Sequence, residues 1–139
     1  MKRTICVLAF LFVCFALAAA APVMDIKLLR QEARALYKSG MRWLELDMSG
    51  DGKVDHIMLL NQQGNKVYEE IDINNDGEMD DLCYYKNGAL FKEEIDSNFD
   101  GMVDLWVFLK GGIYIERYMK DENFDGAIDV IKEYGAGKR

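Results

Sequence analysis

The sequence predicts a mainly β protein, an antiparallel β-meander of four strand–acidic loop–strand repeats with one N-terminal amphipathic helix packed on the sheet. Three observations lead there. A nine-residue acidic segment recurs four times without gaps, at Asp47–Asp55, Asp72–Asp80, Asp96–Asp104 and Asp121–Asp129, with starts 25, 24 and 25 residues apart. Short runs rich in β-branched and aromatic residues flank the copies. Glycine turn signals separate them, at Gln63-Gly64-Asn65, Asn87-Gly88 and Gly111-Gly112.

The chain starts with an address. Lys2 and Arg3 precede an apolar run from Ile5 to Leu17, and Ala18 to Ala21 supply the small residues a signal peptidase needs. Residues 1–21 therefore read as a cleaved secretory signal, which predicts a secreted or periplasmic protein. The run is short and ends in weak alanines, so it does not read as a membrane anchor, and no transmembrane segment is expected in the mature chain. Val13 is bulky where a lipoprotein signal needs a small residue, which argues against lipidation of Cys14. Removing the signal leaves Cys83 as the only cysteine, so no intramolecular disulfide is expected; Cys83 reads as a small buried strand residue.

Residues 22–40 form the next unit. Asp25 to Ser39 reads as one helix, with Ile26, Leu29, Ala33, Leu36 and Tyr37 at helical spacing, Asp25 at the N-cap and Gly40 beyond the end. Its apolar stripe is expected to cover one face of the sheet, because an isolated meander needs such cover. Residues 41–139 are the repeat domain. After the loops come His56–Leu60, Asp81–Tyr85, Leu105–Leu109 and Val130–Tyr134; before each loop lies another short run, such as Lys66–Ile71 or Ile113–Met119. Alternation places Ile57, Leu82, Trp106 and Ile131 on one face, together with Leu59, Tyr84, Phe108 and Glu133. Two strands per repeat return the chain to its starting side, so all four acidic loops are expected along one edge of the sheet.

The chemistry lies in the loops, whose shared pattern is D-x-[SN]-x-D-G-x-[apolar]-D. Ca²⁺ takes six to eight oxygen ligands, and a loop curling around it presents side chains at alternate positions. Positions 1, 3, 5 and 9 are Asp47, Ser49, Asp51 and Asp55 in the first loop and Asp72, Asn74, Asp76 and Asp80 in the second. They are Asp96, Asn98, Asp100 and Asp104 in the third and Asp121, Asn123, Asp125 and Asp129 in the fourth. Gly at position 6 permits the reversal, and position 7 offers a backbone carbonyl, from Lys53, Glu78, Met102 and Ala127. Apolar position 8 (Val54, Met79, Val103, Ile128) is expected to pack inward. Phe99 and Phe124 at position 4 read as covers over their loops, while Gly50 in the first loop reads as added flexibility. Asp-Gly is also ordinary turn chemistry, but a turn needs no Asp at positions 1 and 9.

The motif resembles the calcium loop of EF-hands, with one departure: an EF-hand ends in a bidentate Glu at position 12. Met58, Cys83, Val107 and Lys132 stand there instead. The shorter form with Asp at position 9 is similar to the calcium loops set between β-strands in integrin-type FG-GAP repeats. That resemblance implies that Asp55, Asp80, Asp104 and Asp129 close the coordination sphere. Tyr85-Lys-Asn-Gly-Ala-Leu90 is similar to the hairpins of bacterial MORN-like repeats.

Charge fits this reading. The formal net charge of -7 becomes -9 when Lys2 and Arg3 leave, and the twelve loop Asp account for all of it. Nucleic acid is excluded as a partner for want of clustered Lys and Arg. A catalytic carboxylate pair needs two unlike environments, whereas these Asp recur in equivalent settings, so an enzyme is not expected. The sequence thus predicts up to four Ca²⁺ stapling a binding or adhesion module whose partner is an extracellular protein or polysaccharide. The alternative is a calcium-stabilised extracellular hydrolase acting on a surface polymer. Trp43, Trp106 and the tyrosines form either a carbohydrate-binding face or ordinary sheet core, and His56 reads as a strand-surface residue.

Overall fold

A computed structural model describes residues 24–135. The expected signal at 1–21 and Cys14 lie outside the described residues. The protein is mainly β: one open sheet of eight antiparallel strands with a single short helix. In chain order these are α1 (Ile26–Arg34), β1 (Arg42–Leu46), β2 (His56–Leu60), β3 (Lys66–Ile71) and β4 (Asp81–Lys86). Then follow β5 (Ala89–Ile95), β6 (Leu105–Lys110), β7 (Tyr114–Lys120) and β8 (Val130–Glu133). Strand order in the sheet equals chain order, so β1 and β8 are its two edges.

The turns obey the residues that form them. Asn87 and Gly88 have φ of 53° and 77°, and Gly111 and Gly112 have 64° and 73°. Two successive positive φ values are what a type I′ hairpin turn requires, and Asn and Gly tolerate them best. At the longer turn Asn61 folds back, its Oδ1 accepting from the N–H groups of Gln63 and Asn65. Register shifts occur at Leu59/Leu60, Tyr84/Tyr85 and Phe108/Leu109, at equivalent places in three successive hairpins. Such bulges sharpen the local twist.

The core lies between α1 and one face of the sheet. Ile26, Leu29 and Ala33 of the helix pack with Leu59, Tyr68, Leu82, Val103 and Trp106. Trp43, Tyr84, Phe108, Met119 and Ile128 flank that cluster. Trp43 meets Tyr68 edge-on at 6.2 Å between centroids, a favoured aromatic geometry. With Trp106 only 2% exposed, it and Tyr68 are core and not a carbohydrate-binding face. Of the position-8 residues, Met79 and Val103 are buried and Val54 and Ile128 half-buried.

The helix is shorter than the span Asp25 to Ser39. Asp25 caps it as expected, its Oδ1 accepting from the N–H groups of Lys27 and Leu28 at 2.9 and 3.1 Å. After Arg34 the bonds tighten, with N–H groups of Ala35, Leu36 and Tyr37 donating to carbonyls three residues back. That tightening rotates Leu36 and Tyr37 off the stripe, and both are exposed. The helix start is tied to the third loop: Val103 N–H donates to Met24 C=O and Ile26 N–H to Gly101 C=O.

Candidate metal centre

The four acidic segments lie between β1 and β2, β3 and β4, β5 and β6, and β7 and β8. Each curls by the same set of bonds. The position-1 carboxylate accepts from the N–H groups of positions 4 and 6. For Asp72 these are Asn75 and Gly77, both at 2.7 Å, and for Asp47 they are Gly50 and Gly52 at 2.6 and 2.9 Å. Asp96 takes Phe99 and Gly101 at 2.7 and 2.6 Å, and Asp121 takes Phe124 and Gly126, both at 2.8 Å. The position-5 carboxylates of Asp51, Asp76, Asp100 and Asp125 accept from the position-7 N–H groups of Lys53, Glu78, Met102 and Ala127. The position-9 carboxylates reach back to position 2: Asp55 to Met48, Asp80 to Ile73, Asp104 to Ser97 and Asp129 to Glu122.

These bonds require left-handed backbone at two places. Position 6 is glycine, with φ between 88° and 100° in Gly52, Gly77, Gly101 and Gly126. Position 4 is also left-handed, at Gly50 (78°), Asn75 (61°), Phe99 (65°) and Phe124 (60°). Gly50 is therefore the residue its backbone asks for and not a loosening of the first loop. Phenylalanine is an outlier in this region. Phe99 and Phe124 do not close over their own loops alone. Phe99 helps line a cavity of about 170 Å³ with Met79 and Asp80 of the second loop and Ile26 of the helix. Phe124 lines one of about 50 Å³ with Asp100 and Asp104 of the third.

Burial divides the carboxylates. Asp51, Asp76, Asp100 and Asp125 at position 5 are exposed. Positions 9 and 1 are buried where successive loops abut, at Asp55 with Asp72, Asp80 with Asp96 and Asp104 with Asp121. At each junction the position-1 N–H donates to the preceding position-9 C=O, at 2.9, 2.8 and 2.9 Å. Asp47 and Asp129, at the two ends of the array, are exposed.

Electrostatics follow these contacts. Burial raises the Asp80 carboxyl above its ordinary range, and Asp72 and Asp76 of the same loop add to the rise. The Glu78 N–H and the Asn74 side chain hold Asp76 below the usual range, with Lys53 adding. Lys53 Nζ donates to the Asp76 carbonyl at 3.0 Å, so a cation from the first loop already sits on the second. Asp55 is lowered chiefly by the Met48 N–H.

The donor set suits a hard cation: three carboxylates, an Asn or Ser oxygen and a carbonyl per loop. The three Asp of a loop are, however, not drawn tightly together. Among the described residues, the group of three carboxylate or thiol ligand atoms all within 4.8 Å of one another is Asp81, Cys83 and Glu93. Asn74 and Asn98 turn Nδ2 toward Asp76 and Asp100, both at 2.9 Å. Their Oδ1 atoms accept from the Asp76 and Asp100 N–H groups at 2.9 and 3.2 Å, and coordination through Oδ1 would compete with those bonds.

The Asp81–Cys83–Glu93 group was not among the residues singled out in the sequence. It lies on the face away from α1, where Cys83 pairs with Glu69 on one side and Glu93 on the other. The buried Cys83 thiol is 3.6 Å from Asp81 Oδ1 and 3.9 Å from Glu93 Oε1, so the expected apolar setting is instead flanked by acids. Burial, with Glu93, Glu69 and Asp80 adding, pushes Asp81 up to about 7. Burial likewise raises Glu93 and the Cys83 thiol. Glu69 has the opposite balance. Burial works to raise it, but bonds from Lys66, Tyr85 and His56 outweigh that, and the net shift is downward. His56 is thus half-buried and bound to Glu69, not a free surface residue. Alternation along β4 and β5 was the available sequence signal for this group; only the register brings the two strands' acids together.

No helix among the described residues is long and apolar enough to cross a membrane. No protein-family model matches the chain, and no curated protein matches it. Among solved structures, the chain is similar to one described as "Crystal structure of accessory secretory protein 1,2 and 3 in Streptococcus pneumoniae", with 16% identity and a TM-score of 0.49. The match covers 73% of this chain and 18% of that one.

Proposed function

We propose that this is a secreted or periplasmic calcium-binding repeat protein. Its sheet would be a meander of four strand–calcium loop–strand units, with up to four Ca²⁺ as structural staples of a binding or adhesion module. The observation that carries this reading is the common loop geometry. In all four loops the Asp at positions 1, 5 and 9 bend back onto the loop's own N–H groups around a left-handed glycine. All three loop-to-loop junctions bury carboxylates of like charge, Asp55 with Asp72, Asp80 with Asp96 and Asp104 with Asp121, which a divalent cation would offset. The mature chain carries no disulfide partner for Cys83, so stabilisation by ions fills a need.

Thermal unfolding in EDTA and in about 1 mM Ca²⁺, with calorimetric titration, tests the proposal. Extracellular calcium modules bind at about 0.1–1 mM. At a Kd of about 0.1 mM each site adds about 1.4 kcal/mol. A rise in melting temperature with measurable heat is expected; no shift and no heat would overturn the reading. Asp100→Ala and Asp125→Ala are each expected to remove about one equivalent of bound ion.

The alternative, a calcium-stabilised hydrolase, draws on the raised carboxyls of Asp81 and Glu93. Its support is weaker, because the Cys83 thiol fills the space between them and the cavities described above are lined by other residues.

A further inference from the structure

We infer that the protein associates head to tail through its sheet edges, the outer edge of β8 in one copy accepting the outer edge of β1 in a second copy. The chain itself supplies the template. Successive strand–loop–strand segments join at β2/β3, β4/β5 and β6/β7 by one repeated register. Ile57 stands opposite Glu70, Leu82 opposite Glu94 and Trp106 opposite Met119. Beside each pair lies the backbone bond from a position-1 Asp N–H to the preceding position-9 C=O.

The two ends of the array carry the matching halves of one more such junction. Ile131 on β8 is the equivalent of Ile57, Leu82 and Trp106; Glu45 on β1 is the equivalent of Glu70 and Glu94. The interior members Ile57, Leu82, Trp106, Glu70 and Glu94 are buried and Met119 is half-buried, whereas Ile131 is 61% exposed and Glu45 is exposed. Asp129 C=O and Asp47 N–H, the counterparts of the three junction bonds, make no backbone bond among the described residues. Parity agrees too. Tyr134 N–H points inward to Glu116 C=O, so alternation turns the main-chain groups of Ile131 and Glu133 outward. The same alternation turns those of Trp43 and Glu45 outward on β1.

Strand direction completes the match. Strand order equals chain order and all pairs are antiparallel, so β8 and an incoming β1 are antiparallel as well. Ile131 would face Glu45, Glu133 would face Trp43, and Asp129 C=O would accept from Asp47 N–H. The acidic loops of both copies would lie along one continuous edge. Repeat arrays normally end in caps with a polar outer face; here Ile131 and Glu45 keep the residue types of an interior junction, while Glu133 stands where Leu59, Tyr84 and Phe108 stand inside the array. Because the contact is heterologous, it propagates and does not stop at a dimer. With β8 only four residues long, the joint is weaker than an interior one, and association depends on concentration.

This inference does not depend on bound calcium, and the test is run in both EDTA and Ca²⁺. Sedimentation of the purified full chain, or of its processed form with the N-terminus identified, should show mass rising through multiples of the monomer. Glu45→Pro and Ile131→Pro each remove one outward N–H, which edge strands tolerate. Each variant alone should be monomeric, and the two mixed should form a heterodimer that grows no further. A substitution-tolerant measurement accompanies this: Glu45→Cys and Ile131→Cys chains, mixed under mild oxidation, should give the mixed disulfide well above its statistical share. A monomer at every concentration would overturn the inference. So would oligomers that persist in both Pro variants, or cysteine homodimers in place of the mixed product.

Discussion

Gly101 has φ of +89°, and a Cβ built there meets nothing within 4 Å. Alanine at this position is penalised by backbone conformation alone. Gly101→Ala is expected to cost about 1 kcal/mol. Gly135→Ala, where no left-handed φ and no neighbour intervene, should leave the melting temperature unchanged. Position 6 was legible in the sequence because four glycines stand there. Position 4 was not, because Gly50, Asn75, Phe99 and Phe124 share a backbone angle and no side-chain chemistry. A second residue-scale test concerns Glu93, whose carboxyl burial holds above its ordinary range. A raised carboxyl binds its proton more tightly in the folded state. Its contribution is therefore present at low pH and lost as pH rises through the folded value. Glu93→Gln should melt higher than the parent at pH 8, with the difference closing toward pH 4.

Helix α1 depends on one buried ion pair as well as on its apolar stripe. Arg30 Nε and a terminal nitrogen both reach Glu70 Oε2, at 2.8 and 2.7 Å, and Glu70 is 1% exposed. Removing the arginine leaves a buried charge without its partner. Arg30→Met should cost about 2–4 kcal/mol in chemical denaturation, and adding Glu70→Gln should recover part of it. The strands were legible because alternation and glycine turns agree: β2 and β3 have the spans read from the sequence, and β4, β6 and β7 differ at their ends by a residue. The helix was legible in its start and stripe but not in its length. Leu36 and Tyr37 satisfy helical spacing, yet the chain must leave the helix to reach β1 on the sheet, and that path is set by packing and not by local pattern.

Across the whole molecule, position decides what one repeated residue does. Asp104 is buried and accepts from both the N–H and the hydroxyl of Ser97, whereas Asp129 at the end of the array is exposed. In EDTA, Asp104→Ala should cost about 1–3 kcal/mol by removing the two bonds that Ser97 donates to this buried carboxylate, and Asp129→Ala, measured the same way, clearly less. The sequence by itself determined the β class, the four acidic loops, the turn positions and the helix cap. Each of these rests on residue types at fixed spacing, which local chemistry reads. Only the tertiary structure decided which Asp are buried, that Cys83 sits between two acids, that Arg30 meets Glu70, and that the sheet stays open with two unmatched edges. Those outcomes depend on the register between strands and on the docking of α1, which are set by pairings between residues distant in the chain.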